Sequence, residues 1–169
     1  MLAGYAERSD FEYLEKLRAY GKHLGINVIE LNGLYSGIDK GKKIKCGLLD
    51  LYTCASIVTY PSQSEGFGNQ FLEAVYAKKP VVVWEYPVFN TDIKPLGFEV
   101  ISLGNNLHFD KTGLAKVSED LLDKVVYRVI VALMDNKERK KLVDKNFEIA
   151  KANFSYQQTF EVLRKMLRF

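Results

Sequence analysis

Apolar positions recur along this chain at two kinds of spacing, one helical and one in short continuous runs. Tyr13, Leu17, Tyr20 and Leu24 stand at helical spacing behind Ser9-Asp10-Phe11-Glu12, which has the form of a capping box. Gly25 is expected to close that helix, with Lys22 and His23 in the last turn, where the dipole favours cations. Met1 to Ala3 reads as the tail of a strand, and Ile26 to Leu31 as an extended segment closed by Asn32-Gly33. A Gly- and Lys-rich loop follows from Tyr35 to Lys43, and Ile44, Leu48 and Tyr52 mark a short helix. Ser56 to Tyr60 is a β-rich run stopped by Pro61, and Gly68 to Lys78 reads as a helix. Pro80 to Trp84 is almost continuously apolar, as expected of a strand covered on both faces, and Gly97 to Ser102 reads as another strand.

The rest is helical. Ser118 is expected to cap a helix with Leu121, Leu122, Val125, Val126, Val129, Ile130 and Leu133 on one face. Asn136 is expected to cap the next, with Val143, Phe147, Ala150 and Phe154 turned inward. Ser155-Tyr156-Gln157-Gln158 has the form of a second capping box, opening a final helix. Strands thus alternate with helices, and the connections are long enough for the crossovers that parallel strands require. The expected class is α/β with a parallel sheet, in a single domain over residues 1–169 whose part from about residue 118 is helical.

Composition narrows the classes. With 169 residues, 47% apolar and 27% charged, the chain is long enough for a buried core and is neither disordered, collagenous nor coiled coil as a whole. Its longest uncharged run, Leu51 to Ser64, is 14 residues and contains Thr, Ser and Gln, whereas a membrane span needs about 20 apolar residues. The net charge of +3 is uneven, because residues 137–169 hold nine Lys and Arg against four acids. A solvated helical face explains that excess, with phosphate or anionic-lipid attraction as the alternative. No basic stripe interleaved with aromatics points to nucleic acid. Two cysteines, Cys46 and Cys54, do not make a disulfide framework; both are expected to pack as buried thiols. With only His23 and His108 besides, a structural zinc site is not expected, and both histidines read as structural or surface residues. The N-terminus lacks the pattern of a signal peptide, so a reduced cytoplasm is the expected setting, with peripheral contact at the inner membrane face as a further expectation from the basic tail.

The stretch with chemistry in it is Tyr60-Pro61-Ser62-Gln63-Ser64-Glu65-Gly66-Phe67-Gly68-Asn69-Gln70-Phe71-Leu72-Glu73-Ala74. It starts at the carboxyl end of a strand and enters a helix, and ligands of open α/β sheets bind at that edge. Gly66 and Gly68 allow close approach of backbone to a ligand, and the first helical turn offers unpaired N–H groups to an anion. Glu65 and Glu73 are two carboxylates able to accept hydrogen bonds from sugar hydroxyls at two points. The third glycine of a dinucleotide fingerprint is absent, and Glu65 has a plainer reading as an acid opposing the helix dipole. Asp92 and Glu85 lie beyond the next strand at the same sheet edge; a packed loop is the expected reading there.

Ser62-x-x-Glu65-Gly66-Phe67-Gly68-x-x-x-Leu72-Glu73-Ala74, followed by Lys79-Pro80-Val81-Val82-Val83, closely resembles the signature of the retaining glycosyltransferases of family four. Glu65 and Glu73 fit its two glutamates seven residues apart. These enzymes have the GT-B architecture of two Rossmann-like domains, and the resemblance extends over nearly the whole chain as the C-terminal, donor-binding half. It implies a Rossmann-like parallel sheet flanked by helices and a hexosyl transfer from a nucleotide diphosphate sugar with retention. Glu65 would bond hydroxyls of the donor sugar and is the implied catalytic residue. The backbone of Gly66, Phe67, Gly68, Asn69 and Gln70 would face the sugar and diphosphate, Glu73 the ribose, and Leu31, Asn32, Gly33 and Leu34 the base. No metal or other cofactor is implied, since protein cations and helix ends hold the diphosphate.

The family's Gly-Arg and Lys-Gly pair, which clamps the diphosphate, has no counterpart in these 169 residues, and Arg8 follows a different strand. The first strand of the sheet and the N-terminal acceptor domain are likewise expected to be missing, which makes that domain an expected partner. Lys78-Lys79 stands where many family members have a glycine turn. The expectation is therefore a piece that binds donor and is inactive alone. The alternative is a non-enzymatic nucleotide-binding or assembly module that reuses the half-fold.

Overall fold

The computed structural model describes residues 11–30 and 48–167. The expected stub at Met1 to Ala3, the cap residues Ser9 and Asp10, the Tyr35 to Lys43 loop, Cys46 and the base-facing run Leu31 to Leu34 lie outside the described residues. The chain forms two compact units, one from residues 1–51 with 106–117 and one from residues 52–105 with 118–169.

In the first unit, α1 spans Phe11–His23. It ends at Gly25, whose φ of 68° is left-handed; Ile26 N donates to Gly21 O (2.9 Å) and Gly25 N to Lys22 O (3.1 Å). This pair of bonds satisfies helix-end carbonyls in the way expected at a C-terminal glycine. Over the described part of the expected extended segment 26–31, residues 26–29 form no strand, and Glu30 makes a single bridge. Ile26 and Ile29 are exposed, so the run has no apolar face to bury in a sheet. It is held instead by Arg18, whose guanidinium reaches both oxygens of Glu30, with Nη2 to Oε2 at 2.6 Å. A short antiparallel pair not expected from the sequence, β4 (His108–Phe109) with β5 (Ala115–Lys116), belongs to this unit. Ala115 N donates to Tyr13 Oη (3.3 Å), and Lys116 Nζ lies 4.1 Å from the Tyr20 ring centroid.

The helix α2, Leu48–Cys54, crosses from the first unit into the second. The second unit holds a parallel sheet in the order β1 (Val58–Tyr60), β2 (Val81–Val83), β3 (Ile101–Ser102). Val58, Thr59 and Tyr60 pair with Val81, Val82 and Val83, and Val82 and Val83 pair with Ile101 and Ser102. Every residue of β2 is buried, as the unbroken valine run led one to expect. The helix α3 (Asn69–Tyr76) joins β1 to β2 and buries Phe71, Ala74 and Val75. The three final helices are α4 (Glu119–Met134), α5 (Asn136–Phe154) and α6 (Tyr156–Leu167). Val82 and Ile101 pack with Val125 and Ala132 of α4. The fold is thus the expected α/β class, a parallel sheet flanked by helices. No helix among the described residues is long and apolar enough to cross a membrane.

Several local expectations are corrected. The strand expected from Gly97 shrinks to Ile101–Ser102, because Glu99 finds its backbone partners in a side chain. Asn146, buried on α5, accepts from Glu99 N (2.8 Å) and donates to Glu99 O (2.7 Å), a bidentate amide in place of a ladder. The loop expected after Tyr86 contains a π-helical turn, Phe89–Ile93, and a 3-10 turn, Lys94–Leu96, which bury Phe89 and Ile93. The broad stripe of α4 is only half used: Val125 is buried and Leu121 and Val129 pack on the core, while Leu122, Val126, Ile130 and Leu133 stay exposed. Three short strands cover too little of the helix to bury the whole stripe. Cys54 is exposed, not a packed thiol.

Helix starts follow the chemistry of their first residues. Ser118 is extended at the start of α4, but its hydroxyl makes no cap bond; Glu119 and Asp120 answer the dipole there. Asp135, not Asn136, caps α5, its carboxylate accepting from Lys137 N (2.9 Å) and Glu138 N (3.1 Å). Ser155 Oγ accepts from Gln158 N (3.2 Å) at the start of α6, as its capping box implied. The helix α3 ends in a left-handed residue that is not glycine, Lys78, with φ 52°. Its N–H bonds Val75 O (2.9 Å) and that of Lys79 bonds Ala74 O (3.0 Å). The side chain offsets the backbone cost: Lys78 Nζ lies 2.7 Å from Asp144 and 4.7 Å from the Phe147 ring centroid.

Asp135→Ala should therefore lower unfolding free energy by about 1 kcal/mol, while Asn136→Ala should change it by less than about 0.5 kcal/mol. Urea titrations followed by circular dichroism check both, and equal losses would contradict the cap assignment.

Candidate functional site

The site is built where β1 ends and α3 begins. Tyr60 is the last residue of β1, and Pro61 follows it with no N–H to continue a ladder. Ser62 Oγ donates to Ser64 O (3.3 Å), tightening the turn that leads to the half-buried Glu65. Gly68 then takes φ 92° and ψ 59° at the N-cap of α3, where it accepts from Phe71 N (2.9 Å). Because the cap residue has no side chain, no side-chain cap covers the first amides of the helix. Asn69 and Gln70 are exposed in that first turn, and Glu73 is half-buried one turn further on. The structure therefore brings Glu65, the run Gly66 to Gln70 and Glu73 onto one strand–turn–helix at the carboxyl end of the sheet.

Three tyrosine hydroxyls hold this connection. Tyr86 Oη donates to Phe67 O (2.9 Å), and its ring meets Tyr60 edge-on at 6.0 Å. The contact is so close that a Cβ on Gly68 would lie 2.2 Å from Tyr86 Oη and 3.1 Å from its Cζ. The glycine at 68 is thus required twice, by its left-handed φ and by Tyr86. Tyr60 Oη donates to Gln70 Oε1 (3.2 Å). Tyr52, from α2, donates to Glu73 Oε2 (2.9 Å) and lies 3.4 Å from Gln70 O. Phe67 also packs edge-on against Phe154 of α5, with 5.3 Å between centroids, which ties the loop to the last turn of that helix.

These hydroxyls stay protonated well into alkali. Burial, and then the bond to the Glu73 carboxylate, push the Tyr52 hydroxyl above its usual range. Burial and then the Glu65 carboxylate do the same to Tyr60. Tyr86 is pushed up to about 12, by burial first and the charge of Glu65 second. Each therefore remains a donor at neutral pH.

Glu85, at the carboxyl end of β2, is fully engaged. Its Oε2 lies 2.7 Å from Lys94 Nζ, and its Oε1 accepts from Ser102 Oγ (2.8 Å), which in turn accepts from Gly104 N (2.9 Å). Burial alone would raise its carboxyl; the bonds from Lys94 and Ser102 outweigh that and hold it below the usual range. Its Oε1 joins the end of β2 to β3 and its Oε2 ties it to the 3-10 turn, in keeping with the packed-loop reading. Asp92 is exposed on the π-helical turn, and His23 and His108 are on the surface. Among the described residues, no three His, Cys, Asp or Glu side chains gather to hold a metal ion. Sequence reasoning missed Tyr52 and Tyr86 as supports of the site. The one available signal was the glycine itself, since an obligatory Gly68 implies a bulky neighbour.

The chain is 40% identical over 156 residues to the mannosylglucosylglycerate synthase of Thermotoga maritima, covering 92% of this chain and 35% of that protein. It is 38% identical over 135 residues to the protein of that name in Petrotoga mobilis, covering 80% of this chain and 31% of that one. The chain resembles a third of a glycosyltransferase. It spans about a third of the length of these curated relatives. No family model and no solved structure matches it. The similarity to these synthases agrees with the coarser part of the resemblance, that of a glycosyltransferase fragment.

Gly68→Ala should cost about 2–4 kcal/mol in stability, from the left-handed backbone and the overpacking together; a thermal melt unchanged from wild type would contradict the contact with Tyr86. Stability should also fall in alkali. Tyrosine in the unfolded chain ionises near its ordinary value of 10, while folded Tyr86 holds its proton to about 12. The unfolded state thus binds fewer protons in that window, and stability that is full below pH 10 declines across it. The decline should be shallower in Tyr86→Phe, as urea midpoints between neutral pH and 12 would reveal.

Proposed function

We propose that this chain is the donor-binding part of a retaining hexosyltransferase of GT-B architecture, and that it takes a nucleotide diphosphate sugar at the β1–α3 connection. The observation that carries this reading is the pair of half-buried glutamates, Glu65 and Glu73, on either side of the left-handed Gly68 at the carboxyl end of a parallel sheet. In this reading Glu65 accepts hydrogen bonds from hydroxyls of the sugar and stands on the reacting side of the turn. The uncapped amides from Gly68 through Gln70 meet the diphosphate, where aligned N–H groups and the helix dipole favour negative charge. Glu73 accepts from the ribose hydroxyls. By the resemblance the base would be met by Leu31 to Leu34, which lie outside the described residues. No metal is required in this scheme, because donors of the protein hold the leaving diphosphate.

In this reading efficient transfer also draws on an acceptor domain and on a cationic clamp for the diphosphate, neither of which is assigned to these 169 residues. Retention, the hexosyl class, the GT-B pairing and a cytoplasmic or peripheral location all belong to this proposal. The relatives' name contains mannosyl and glucosyl groups, so mannose- and glucose-bearing donors head the test. A second reading, a module for assembly without transfer, is favoured by the exposed apolar side chains of α4 and α6, among them Ile130, Phe160 and Leu163.

Calorimetric titration with UDP, GDP and ADP, and with their mannose and glucose conjugates, tests the proposal. One nucleotide series should bind, weakly, and Glu73→Gln should weaken it by roughly three- to tenfold, the range of one net hydrogen bond. Glu65→Gln should affect the sugar conjugate and leave the free diphosphate unchanged. No binding by any of them to a folded sample would overturn it.

A further inference from the structure

We infer that Tyr52 is the positioning residue for a ribose-binding Glu73: its hydroxyl fixes the plane of that carboxylate so that the remaining lone pairs receive a cis-diol. The inference rests on the reading of Glu73 as the ribose ligand and adds a residue outside the glycine-turned stretch.

The geometry is specific. Tyr52 is buried on α2, 9% exposed, and its hydroxyl is 2.9 Å from Glu73 Oε2. The helix end that carries it is itself fixed, since Lys79 Nζ donates to Thr53 O (3.1 Å) and Ala55 N to Tyr52 O (3.1 Å). A glutamate's last torsion is broad and roughly two-fold, so an untethered Glu73 would sample many planes. A single donor on Oε2 removes that freedom before any ligand arrives. An ionised carboxylate has about four acceptor positions, and Tyr52 uses one of them. Among the described residues no other bond to the Glu73 side chain is made, so the others, including all of Oε1, are open to two neighbouring hydroxyls. The tyrosine is suited to the task because it has no charge to compete with the ligand and keeps its proton at neutral pH. A lysine there would pair with Glu73 and screen it. Preorganisation of this kind shows as affinity, because the ordering entropy is already spent when the ligand binds.

The test uses the 169-residue chain and nucleoside diphosphates in two forms, the ribose form and the 2′,3′-dideoxy form, each of GDP, UDP and ADP. Wild type should bind one ribose form better than its dideoxy counterpart. Tyr52→Phe, whose fold is checked by circular dichroism, should lose roughly three- to tenfold toward the ribose form and nothing toward the dideoxy form. In a Glu73→Gln background, Tyr52→Phe should cause no further loss. An equal loss toward both forms, or no loss toward either, overturns the inference while leaving the donor site standing. A wild type that binds both forms equally overturns the ribose role of Glu73, and this inference with it. If Tyr52→Phe does not fold, a ring-fluorinated tyrosine at 52, which keeps the ring and alters the hydroxyl as a donor, takes its place: a changed affinity for the ribose form alone supports the inference, and an unchanged affinity or an equal change toward both forms overturns it.

Discussion

Val81, Val82 and Val83 are buried on both faces of the sheet, and that double burial dictates the layout of the larger unit. Alternate residues of a strand point to opposite faces. Val82 therefore meets Val125 and Ala132 of α4, and its two neighbours face the other layer. A central strand with no polar face requires cover on both sides, and the crossover through α3 supplies part of it. The same crossover leaves a turn at the carboxyl end of β1, which is where Glu65 and Gly68 fall. The position of the site is thus a result of sheet topology, and its contents are a result of a short stretch of residues grafted onto it.

What converts that turn into a defined shape is a set of tyrosines drawn from three places: the end of β1, the end of α2, and the third residue after β2. Each presents a large apolar ring to the core and a hydroxyl to the turn. Tyr86 reaches the backbone, Tyr60 an amide side chain and Tyr52 a carboxylate. They are neutral at the pH of a cell, so they can surround two glutamates without neutralising them. The acidic character of the site is preserved while its geometry is restrained. The net positive charge of the chain lies elsewhere, on the terminal helices.

The central strand, α3 and the glutamate pair were legible because each depends on neighbours in sequence. Three valines in a row need no tertiary information to be read as a covered strand, and a glycine between strand and helix marks a turn by its own backbone freedom. Asn146 was not legible. It looks like one polar residue among many on a charged helix, and its importance appears only when Glu99, 47 positions earlier, turns out to depend on it for both backbone groups. The same bond explains why the third strand is shorter than its apolar run suggested. Asp135 and Asn136 are both good cap residues, and one-residue differences of this kind are settled by which carboxylate reaches the free amides. The stripe on α4 was legible as one apolar face, but not how much of it is covered, because periodicity reports the width of a face and not the width of what covers it. The tyrosine hydroxyls were invisible for a related reason: a buried ring is expected anywhere in a core, and the partner of its oxygen is a matter of distance alone.

The contact between position 68 and Tyr86 also constrains how this site can change over generations. With the phenol in place, the shortest gap to a Cβ at 68 is 2.2 Å, and without its oxygen the nearest ring atom stands at 3.1 Å. A lineage that lost the hydroxyl first would pass from a closed door to a narrow one, and a small side chain at 68 would then cost mainly its backbone strain. In the reverse order the intermediate is overpacked and unstable. The two positions are therefore coupled in space, and loss of the hydroxyl at 86 is the step that makes room at 68.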